Sequence, residues 1–247
     1  MKHIFLALTN PVAGNESSFN KWYDEQHLRE VLDNFRGFLG GRRYRLNEHQ
    51  RPGQPVPPWQ YLALYDFECA NLAEYHRAPR KPGAKDLTPF DHLVKPDYTA
   101  WIYTPIGSRF KKLDRGGLSV VHPASREEAV GQSPTRHLFF ALTNADAGRE
   151  VEFNEWYDRY HLREVLTYLP EFVRGQRYVL APDQRPQQPA PQWKYIAIYE
   201  VESNNCAAIH PDVQRIFRER RPTPAPEGAL KSDHVAWLFS PLGEYVR

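Results

Sequence analysis

The fold of this chain is decided by the stretch Phe153-Asn154-Glu155-Trp156-Tyr157-Asp158-Arg159-Tyr160-His161-Leu162-Arg163-Glu164-Val165-Leu166. The same motif occurs once earlier, from Phe19 to Leu32. Nine chemically demanding residues are identical in the two copies: Phe19/Phe153, Asn20/Asn154, Trp22/Trp156, Tyr23/Tyr157, Asp24/Asp158, His27/His161, Arg29/Arg163, Glu30/Glu164 and Leu32/Leu166. Helix propensity alone does not require particular polar residues at fixed places. The repetition therefore predicts one fold unit used twice, with a candidate site in each copy.

A long internal repeat surrounds this motif. When the sequence is shifted by 134 places, residues 3–68 align with residues 137–202 without a gap, and about half of the positions are identical. The unit is longer than a solenoid repeat and occurs only twice, which favours a pseudo-dimer made by duplication. We divide the chain into a first repeat (1–107), a connector (108–135) and a second repeat (136–247).

Each copy shows the pattern βαββαβ. The elements predicted in the first copy are strand 3–9, helix 15–34, strand 38–46, strand 59–68, helix 70–80 and strand 98–104. The second copy repeats this order and ends with strand 193–202, helix 205–220 and strand 234–240. The connector could add one strand at 118–122.

The third strand of the unit predicts how the sheets pack. Tyr61 and Tyr65 alternate with Leu62 and Leu64, so both faces of this strand must be covered. Two four-stranded sheets, each with helices on one face, can bury their bare faces against each other as an α+β barrel. We expect that interior to be hollow and lined by Phe5, Tyr61, Tyr65 and Trp101, because tyrosine hydroxyls would be unsatisfied in a dry core. The alternative is that these aromatic residues fill a solid core.

Composition limits the classes of partner. With 13 Phe, 14 Tyr and 6 Trp among 247 residues, the chain can form a substantial core. A formal charge of +2, with both signs interspersed, gives no reason to expect nucleic acid or a membrane surface as partner. The N-terminal apolar run is too short to span a membrane and recurs internally, so we expect a cytoplasmic protein. Cys69 and Cys206 have no metal or redox spacing.

The helix motif resembles a known superfamily. Phe-Asn-x-Trp-Tyr-Asp-x-x-His-Leu-x-Glu-Val-Leu, followed by a strand with Arg43-Tyr44 or Arg177-Tyr178, resembles the dimeric α+β barrel proteins, most closely their EthD-like branch. The resemblance implies ferredoxin-like units, here fused in one chain as an intramolecular pseudo-dimeric barrel. Arg29 and Arg163 stand where that family usually has a proline. The fused pair could associate again as a homodimer.

The candidate catalytic residues are His27 and His161, with Asp24 and Asp158. On a regular helix Asn20, Asp24 and His27 share one stripe, so the aspartate could fix the imidazole tautomer and raise its basicity. An ordinary surface or capping pair is the alternative. A metal site is not expected, because three or more ligands are needed and no spacing supplies them.

We expect the substrate to contact aromatic and polar residues at equivalent places in the two copies: Tyr61, Tyr65, Trp101, Arg43 and Asn10, then Tyr195, Tyr199, Trp237, Arg177 and Asn144. Arg43 and Arg177 could anchor a carboxylate or phenolate. The alternative for these two residues is a salt bridge to Glu30 or Glu164.

Three functions remain open. The first is a lyase or isomerase that needs no cofactor and uses a histidine base on an aromatic or polyketide-like molecule. The second, implied by the resemblance, is a cofactor-free or haem-dependent monooxygenase, for which His76 and His210 are the candidate haem ligands. The third is a non-catalytic carrier of a hydrophobic molecule.

Overall fold

The described part of the chain forms nine strands and six α-helices. The computed structural model describes residues 1–90, 98–114, 116–121, 136–186 and 191–247. The strands are β1 (Lys2–Thr9), β2 (Phe38–Leu46), β3 (Tyr61–Glu68), β4 (Thr99–Lys112), β5 (Leu118–Val121), β6 (Arg136–Thr143), β7 (Phe172–Leu180), β8 (Tyr195–Glu202) and β9 (Val235–Val246). The helices are α1 (Glu16–Trp22), α2 (Leu28–Asn34), α3 (Leu72–Arg77), α4 (Glu150–Trp156), α5 (Leu162–Tyr168) and α6 (Cys206–Arg220).

A π-helical turn joins α1 to α2 at Tyr23–His27, and a second joins α4 to α5 at Tyr157–His161. The helix predicted over 15–34 is therefore continuous but contains an extra residue in its middle turn. The predicted second helix is shorter than expected in the first half and present as α6 in the second. Most of the extra strand predicted at 118–122 is present as β5, and His122 lies outside the described residues.

Eight strands close into an antiparallel barrel in the order β1-β3-β2-β9-β6-β8-β7-β4, with β4 returning to β1. The ninth strand, β5, adds to the outer part of β4. Closure depends on β4 and β9, which run further than predicted: β4 pairs with β7 through Lys111, and β9 pairs with β2 through Val246. The halves are thus joined by two seams of backbone hydrogen bonds.

The barrel interior is almost solid. It is filled by aliphatic and aromatic side chains that include Leu6, Leu64, Trp101, Phe140, Trp237 and Phe239. One void among these side chains measures about 10 Å³, which is room for about one water-sized sphere. The interior of an eight-stranded barrel can be filled by its own side chains, as it is here. The prediction of a hollow interior is therefore wrong.

The tyrosines were also assigned to the wrong face. Phe5, Tyr61 and Tyr65 lie outside the barrel, beneath α1 and α2, in one cluster with Phe19 and Tyr23. Tyr195 and Tyr199 lie beneath α4 and α5 in the same way. Alternation along β3 was predicted correctly, since Leu62 and Leu64 face inward. Both faces are apolar, so alternation alone could not say which one meets the helices. Trp101 and Trp237 do face the interior.

No helix among the described residues is long and apolar enough to cross a bilayer.

Candidate functional site

The π-helical turn moves each histidine away from its aspartate. The Leu28 N–H donates to the Tyr23 carbonyl, five residues back instead of four. One extra residue rotates everything after it by about 100° around the helix axis. His27 therefore leaves the stripe of Asn20 and Asp24, and the predicted contact between Asp24 and His27 does not form.

Asp24 instead belongs to an assembly that we call the arginine anchor. The Arg43 guanidinium donates to Asp24 Oδ1 at 2.8 Å and to Asn20 Oδ1 at 2.7 Å. It lies 4.4 Å from the centre of the Tyr23 ring. Arg43 is only 1% exposed, so its charge is balanced by the carboxylate and by aromatic faces rather than by water.

The second half contains the same anchor. Arg177 donates to Asp158 Oδ1 at 2.8 Å and to Asn154 Oδ1 at 2.6 Å, and lies 4.4 Å from the Tyr157 ring centre. In both halves the arginine side chain extends from a strand and binds two residues of the helix above it. Its charge is already paired with the carboxylate of one of them. The alternative salt bridge to Glu30 or Glu164 was also wrong. Those glutamates accept hydrogen bonds from Thr88 and Thr223.

In each arginine anchor a glycine from the other half lies near the aspartate. The sequence analysis did not identify these glycines. Gly107, at the bulge in β4, has φ +64°, and a Cβ there would lie 2.6 Å from Asp158 Oδ1. Gly243 in β9 has φ +58° and approaches Asp24 less closely, at 3.9 Å. A signal was available, because a Pro-x-Gly sequence follows the predicted fourth strand in both copies. A side chain would be strained at this positive φ.

His27 and His161 lie in equivalent aromatic surroundings. His27 stacks on Trp22 at 4.3 Å between ring centres and meets Tyr23 edge-on at 4.8 Å. His161 stacks on Trp156 at 4.6 Å and meets Tyr157 at 4.8 Å. In both rings Nδ1 is buried with no hydrogen-bond partner among the described residues. Each residue keeps partial exposure.

Burial lowers the pKa of both histidines to about 4. The positive charges of Arg43 and Arg177 lower the pKa further, while Glu30 partly opposes this at His27. The expectation that Asp24 raises the basicity of His27 is therefore wrong, because that carboxylate is paired with Arg43. Both imidazoles are neutral near pH 7, and each is a weak base.

A pair of tyrosines completes each site. The Tyr23 and Tyr65 hydroxyls lie 3.4 Å apart, at the long limit of a hydrogen bond. In the second half the buried Tyr199 hydroxyl faces the Tyr157 hydroxyl in the same way, but outside the usual hydrogen-bond geometry. Burial raises the pKa of Tyr157 and raises the pKa of Tyr199 well above its usual range, so both phenols stay protonated. We define the first-half site as Trp22, Tyr23, His27 and Tyr65, and the second-half site as Trp156, Tyr157, His161 and Tyr199.

Different segments cover the two sites. Phe90, on the irregular chain after α3, stacks on Trp22 at 5.0 Å. In the second half Phe217 of α6 meets His161 edge-on at 5.9 Å. A regular helix thus covers the second-half site, whereas an irregular segment contributes to the cover of the first.

The remaining predicted contacts have structural partners. Asn10 and Asn144 bind backbone groups at the start of the third strand, for example the Gln60 and Lys194 N–H groups at 2.7 and 2.8 Å. Trp101 and Trp237 lie inside the barrel and do not reach either histidine site. Of the predicted site residues, the structure groups the histidines with Tyr65 and Tyr199, and places the arginines and aspartates beside them.

No group of three or more potential metal ligands occurs among the described residues. The candidate haem ligands also do not fit that role. His76 Nε2 lies 3.1 Å from the Asp183 carbonyl, and His210 is 3% exposed with its ring packed 5.2 Å from Phe139. Because His210 Nε2 is itself buried inside the core, a macrocycle could reach it only if α6 moved.

Solved structures share this fold. A protein of Fusobacterium nucleatum, provisionally described as a monooxygenase, superposes with a TM-score of 0.56 over 100% of this chain and 94% of its own, at 7% identity. An anthrone oxidase-like protein superposes with a TM-score of 0.55 over 98% of this chain and 91% of its own, at 8% identity. No family model matches the sequence, and the search of curated proteins also found no match. At this identity the likeness establishes the fold alone: this chain is an α+β protein with a closed eight-stranded barrel.

Proposed function

We propose that this protein is an enzyme that removes a proton from a small aromatic molecule, and that the second-half site is where it acts. The observation that carries the proposal is His161 Nδ1, a buried ring nitrogen without a hydrogen-bond partner among the described residues, in an aromatic layer that Phe217 of α6 covers. Such atoms are rare in folded proteins and point to a ligand or water. A hydroxyaromatic compound offers both a ring for Trp156 and a polar group.

The protonation state of each residue determines its role in the proposed reaction. Neutral His161 accepts the proton, while the protonated Tyr157 and Tyr199 donate to the oxygen that becomes negative. Because a base with a pKa of about 4 is weak, the substrate anion must be stabilised at the site.

Oxidation is the fate of the anion that we favour. A carbanion at a ring CH₂ can react with molecular oxygen, so that CH₂ and O₂ become a carbonyl and water. The names of the two proteins of the same fold, a monooxygenase and an anthrone oxidase-like protein, support this choice. The buried position of His210 leads us to assign haem no part in the reaction.

A lyase or isomerase reaction is the second candidate, because it needs the same proton removal at His161 and no oxygen. The repeated helix motif supports it, through its resemblance to the EthD-like branch of the dimeric α+β barrel proteins. The site offers a neutral imidazole beside two phenols, which is sufficient for elimination or rearrangement of an acidic substrate.

The test uses anthrone and related hydroxyaromatic compounds with the purified protein. Quenching of tryptophan fluorescence measures binding, and an oxygen electrode with product analysis measures turnover. We expect oxygen consumption to fall at least tenfold in His161→Gln, and less in the matched variant His27→Gln. Product formed without oxygen consumption would favour the lyase or isomerase. Binding without any product would leave a carrier, and unchanged turnover in His161→Gln would exclude histidine catalysis.

A further inference from the structure

In each half, one threonine from outside the aligned repeat binds the helix motif. The Thr223 N–H and hydroxyl donate to the two carboxylate oxygens of Glu164, at 3.0 and 2.7 Å. The Trp156 Nε1–H donates to the Thr223 carbonyl at 2.9 Å. We call these three hydrogen bonds the threonine clasp. They engage the N–H, the carbonyl and the hydroxyl of Thr223, so all the polar groups of this residue are bound to the helix motif.

The first half contains the same threonine clasp, although its covering segment is different. Thr88 donates through its N–H and its hydroxyl to Glu30, and the Trp22 Nε1–H donates to the Thr88 carbonyl at 3.1 Å. The helix before the threonine has six residues in the first half and fifteen in the second. In both halves the threonine is followed by a proline, Pro89 or Pro224. The glutamate and the tryptophan of the motif therefore hold a threonine whichever segment covers them.

The segment that carries Thr223 has few other attachments. We call residues 221–226 the strap. Three of its six residues are prolines, which have no N–H to donate. Within 222–225, every hydrogen bond that joins the strap to the rest of the described chain is made by Thr223. Ala225 adds a partly buried apolar contact. The threonine clasp is therefore the polar attachment of the middle of the strap.

The strap begins at a strained residue. Arg221 ends α6 with φ +49°, and it is the only non-glycine residue of the described chain with a positive φ. This conformation is unfavourable for a residue with a Cβ, and it persists only where the surrounding structure imposes it. Release of the threonine clasp would allow Arg221 to relax, so the strain favours opening of the strap at this end.

The strap lies over the second-half site. Its clasp binds Trp156, the ring on which His161 stacks at 4.6 Å between centres. Phe217, one helical turn before the strap, meets His161 edge-on at 5.9 Å. Trp156 is only 6% exposed, and His161 Nδ1 is buried. A molecule from solution can therefore reach that nitrogen only if this cover moves.

We propose that the strap is a lid of the second-half site, and that Glu164 and Thr223 are the positioning residues that hold it closed. An aromatic ligand reaches Trp156 and His161 when Thr223 leaves Glu164. Closure then restores the three hydrogen bonds and excludes water from the bound ligand. The choice of an aromatic ligand rests on the proposed function, whereas the movement of the strap can be measured without a substrate.

Hydrogen exchange of the Trp156 indole N–H, followed by nuclear magnetic resonance on the full chain, measures opening of the threonine clasp. Thr223→Val loses the hydroxyl bond to Glu164, so we expect exchange to accelerate roughly two- to tenfold, the equivalent of one hydrogen bond. Thr223→Ser keeps the hydroxyl and should exchange at the wild-type rate. The matched control is Thr88→Val, which should accelerate exchange of the Trp22 indole N–H instead.

Access to the site is measured separately, by the rate at which diethyl pyrocarbonate acylates the His161 ring, with mass spectrometry to locate the product. Thr223→Val should raise this rate by the same factor and leave the rate at His27 unchanged, because only the second-half strap is released. If Thr223→Val does not fold, Glu164→Gln takes its place, since it keeps the shape of the side chain and loses one acceptor oxygen.

Three results would overturn the proposal. Unchanged exchange at Trp156 would mean that the threonine clasp does not hold the strap. Faster exchange without faster acylation of His161 would mean that the strap opens but does not cover the site. Equal acceleration at Trp156 and Trp22 in Thr223→Val would indicate general destabilisation. Neither measurement uses turnover, so each of these results would leave the proposed proton removal by His161 to its own test.

Discussion

The two histidine sites have the same arrangement of arginine, aspartate and histidine, but different segments cover them. The distances from Arg43 to Asp24 and from Arg177 to Asp158 are both 2.8 Å, and the stacking on Trp22 and Trp156 agrees within 0.3 Å (4.3 against 4.6 Å). The repeated motif therefore fixes the arginine anchor and the histidine. The tyrosine pairs are alike, since Tyr65 lies 3.4 Å from the Tyr23 hydroxyl and Tyr199 faces the Tyr157 hydroxyl. What differs is the cover, which is Phe90 of an irregular segment in the first half and Phe217 of α6 in the second.

The equality of the anchors is tested by Asp24→Asn and Asp158→Asn. Each variant leaves a buried guanidinium without its counter-charge. Breaking a fully buried pair costs about 3–5 kcal/mol, and we reduce this to about 1–3 kcal/mol because the aspartates are 43% and 35% exposed. Urea unfolding measures the loss, and the two variants should agree within about 1 kcal/mol. A loss confined to one half would show that the anchors are not equivalent.

The two bulge glycines should differ. Gly107→Ala and Gly243→Ala both place a side chain at positive φ, which costs about 1–2 kcal/mol. Only at Gly107 does the new Cβ also press on Asp158, which is held by Arg177. We expect Gly107→Ala to lose about 1 kcal/mol more in urea unfolding than Gly243→Ala. Equal losses would mean that Asp158 moves freely and that the close approach is unimportant.

Low pH should reduce the free energy of unfolding through His210, a buried residue of the second half. Burial lowers the pKa of His210 to about 4, below its usual value near 6.5. The unfolded chain then takes up a proton first, so stability is complete above about pH 6.5 and falls as the pH drops towards 4. His210→Asn should reduce the difference in unfolding free energy between pH 7.5 and pH 4.5 by about 1–2 kcal/mol.

The matched control is His76→Asn, at the equivalent place in α3, where the ring is hydrogen-bonded to the Asp183 carbonyl and is less buried. It should keep the wild-type dependence on pH. An unchanged profile in His210→Asn would show that other buried groups, such as His27 and His161, dominate the acid response.

The smallest expected effect separates the two tyrosine pairs. Tyr65→Phe removes a long hydrogen bond to Tyr23 and should cost about 0.5 kcal/mol. Tyr199→Phe removes a hydroxyl whose contact with Tyr157 falls outside the usual hydrogen-bond geometry, so it should cost less than Tyr65→Phe or be neutral. Thermal unfolding of both variants gives the comparison. A clear loss of stability in Tyr199→Phe would mean that this hydroxyl is satisfied in solution.

The sequence predicted the helices and strands well, but it did not predict which face of each strand points into the barrel. The helical period of Phe19, Trp22 and Tyr23 predicted the long helix, and alternation between Tyr61 and Leu62 predicted two buried faces. This alternation does not indicate which face lies inside the barrel, because leucine and tyrosine are both apolar enough to be buried there. In the structure Leu62 and Leu64 face the barrel interior, and Tyr61 and Tyr65 face the helices.

The partner of Asp24 was predicted incorrectly for a related reason. Contacts along a helix were derived from 3.6 residues per turn, and one π-helical turn is enough to exchange neighbours. The stripe that seemed to join Asp24 to His27 actually joins Asn20 and Asp24 to Arg43, which lies 19 places further along the chain from Asp24. A local insertion of this kind leaves no periodic signal in a sequence, so the histidine could be found but not its surroundings.

The long strands β4 and β9 bear on how the protein can be divided. Each half alone would present β2 and β4, or β7 and β9, as open sheet edges with unpaired backbone groups. Open edges of this kind recruit other chains and promote aggregation. Separately expressed fragments would therefore have to find each other before either became soluble, and a cut in the connector would be tolerated only if both pieces remained together.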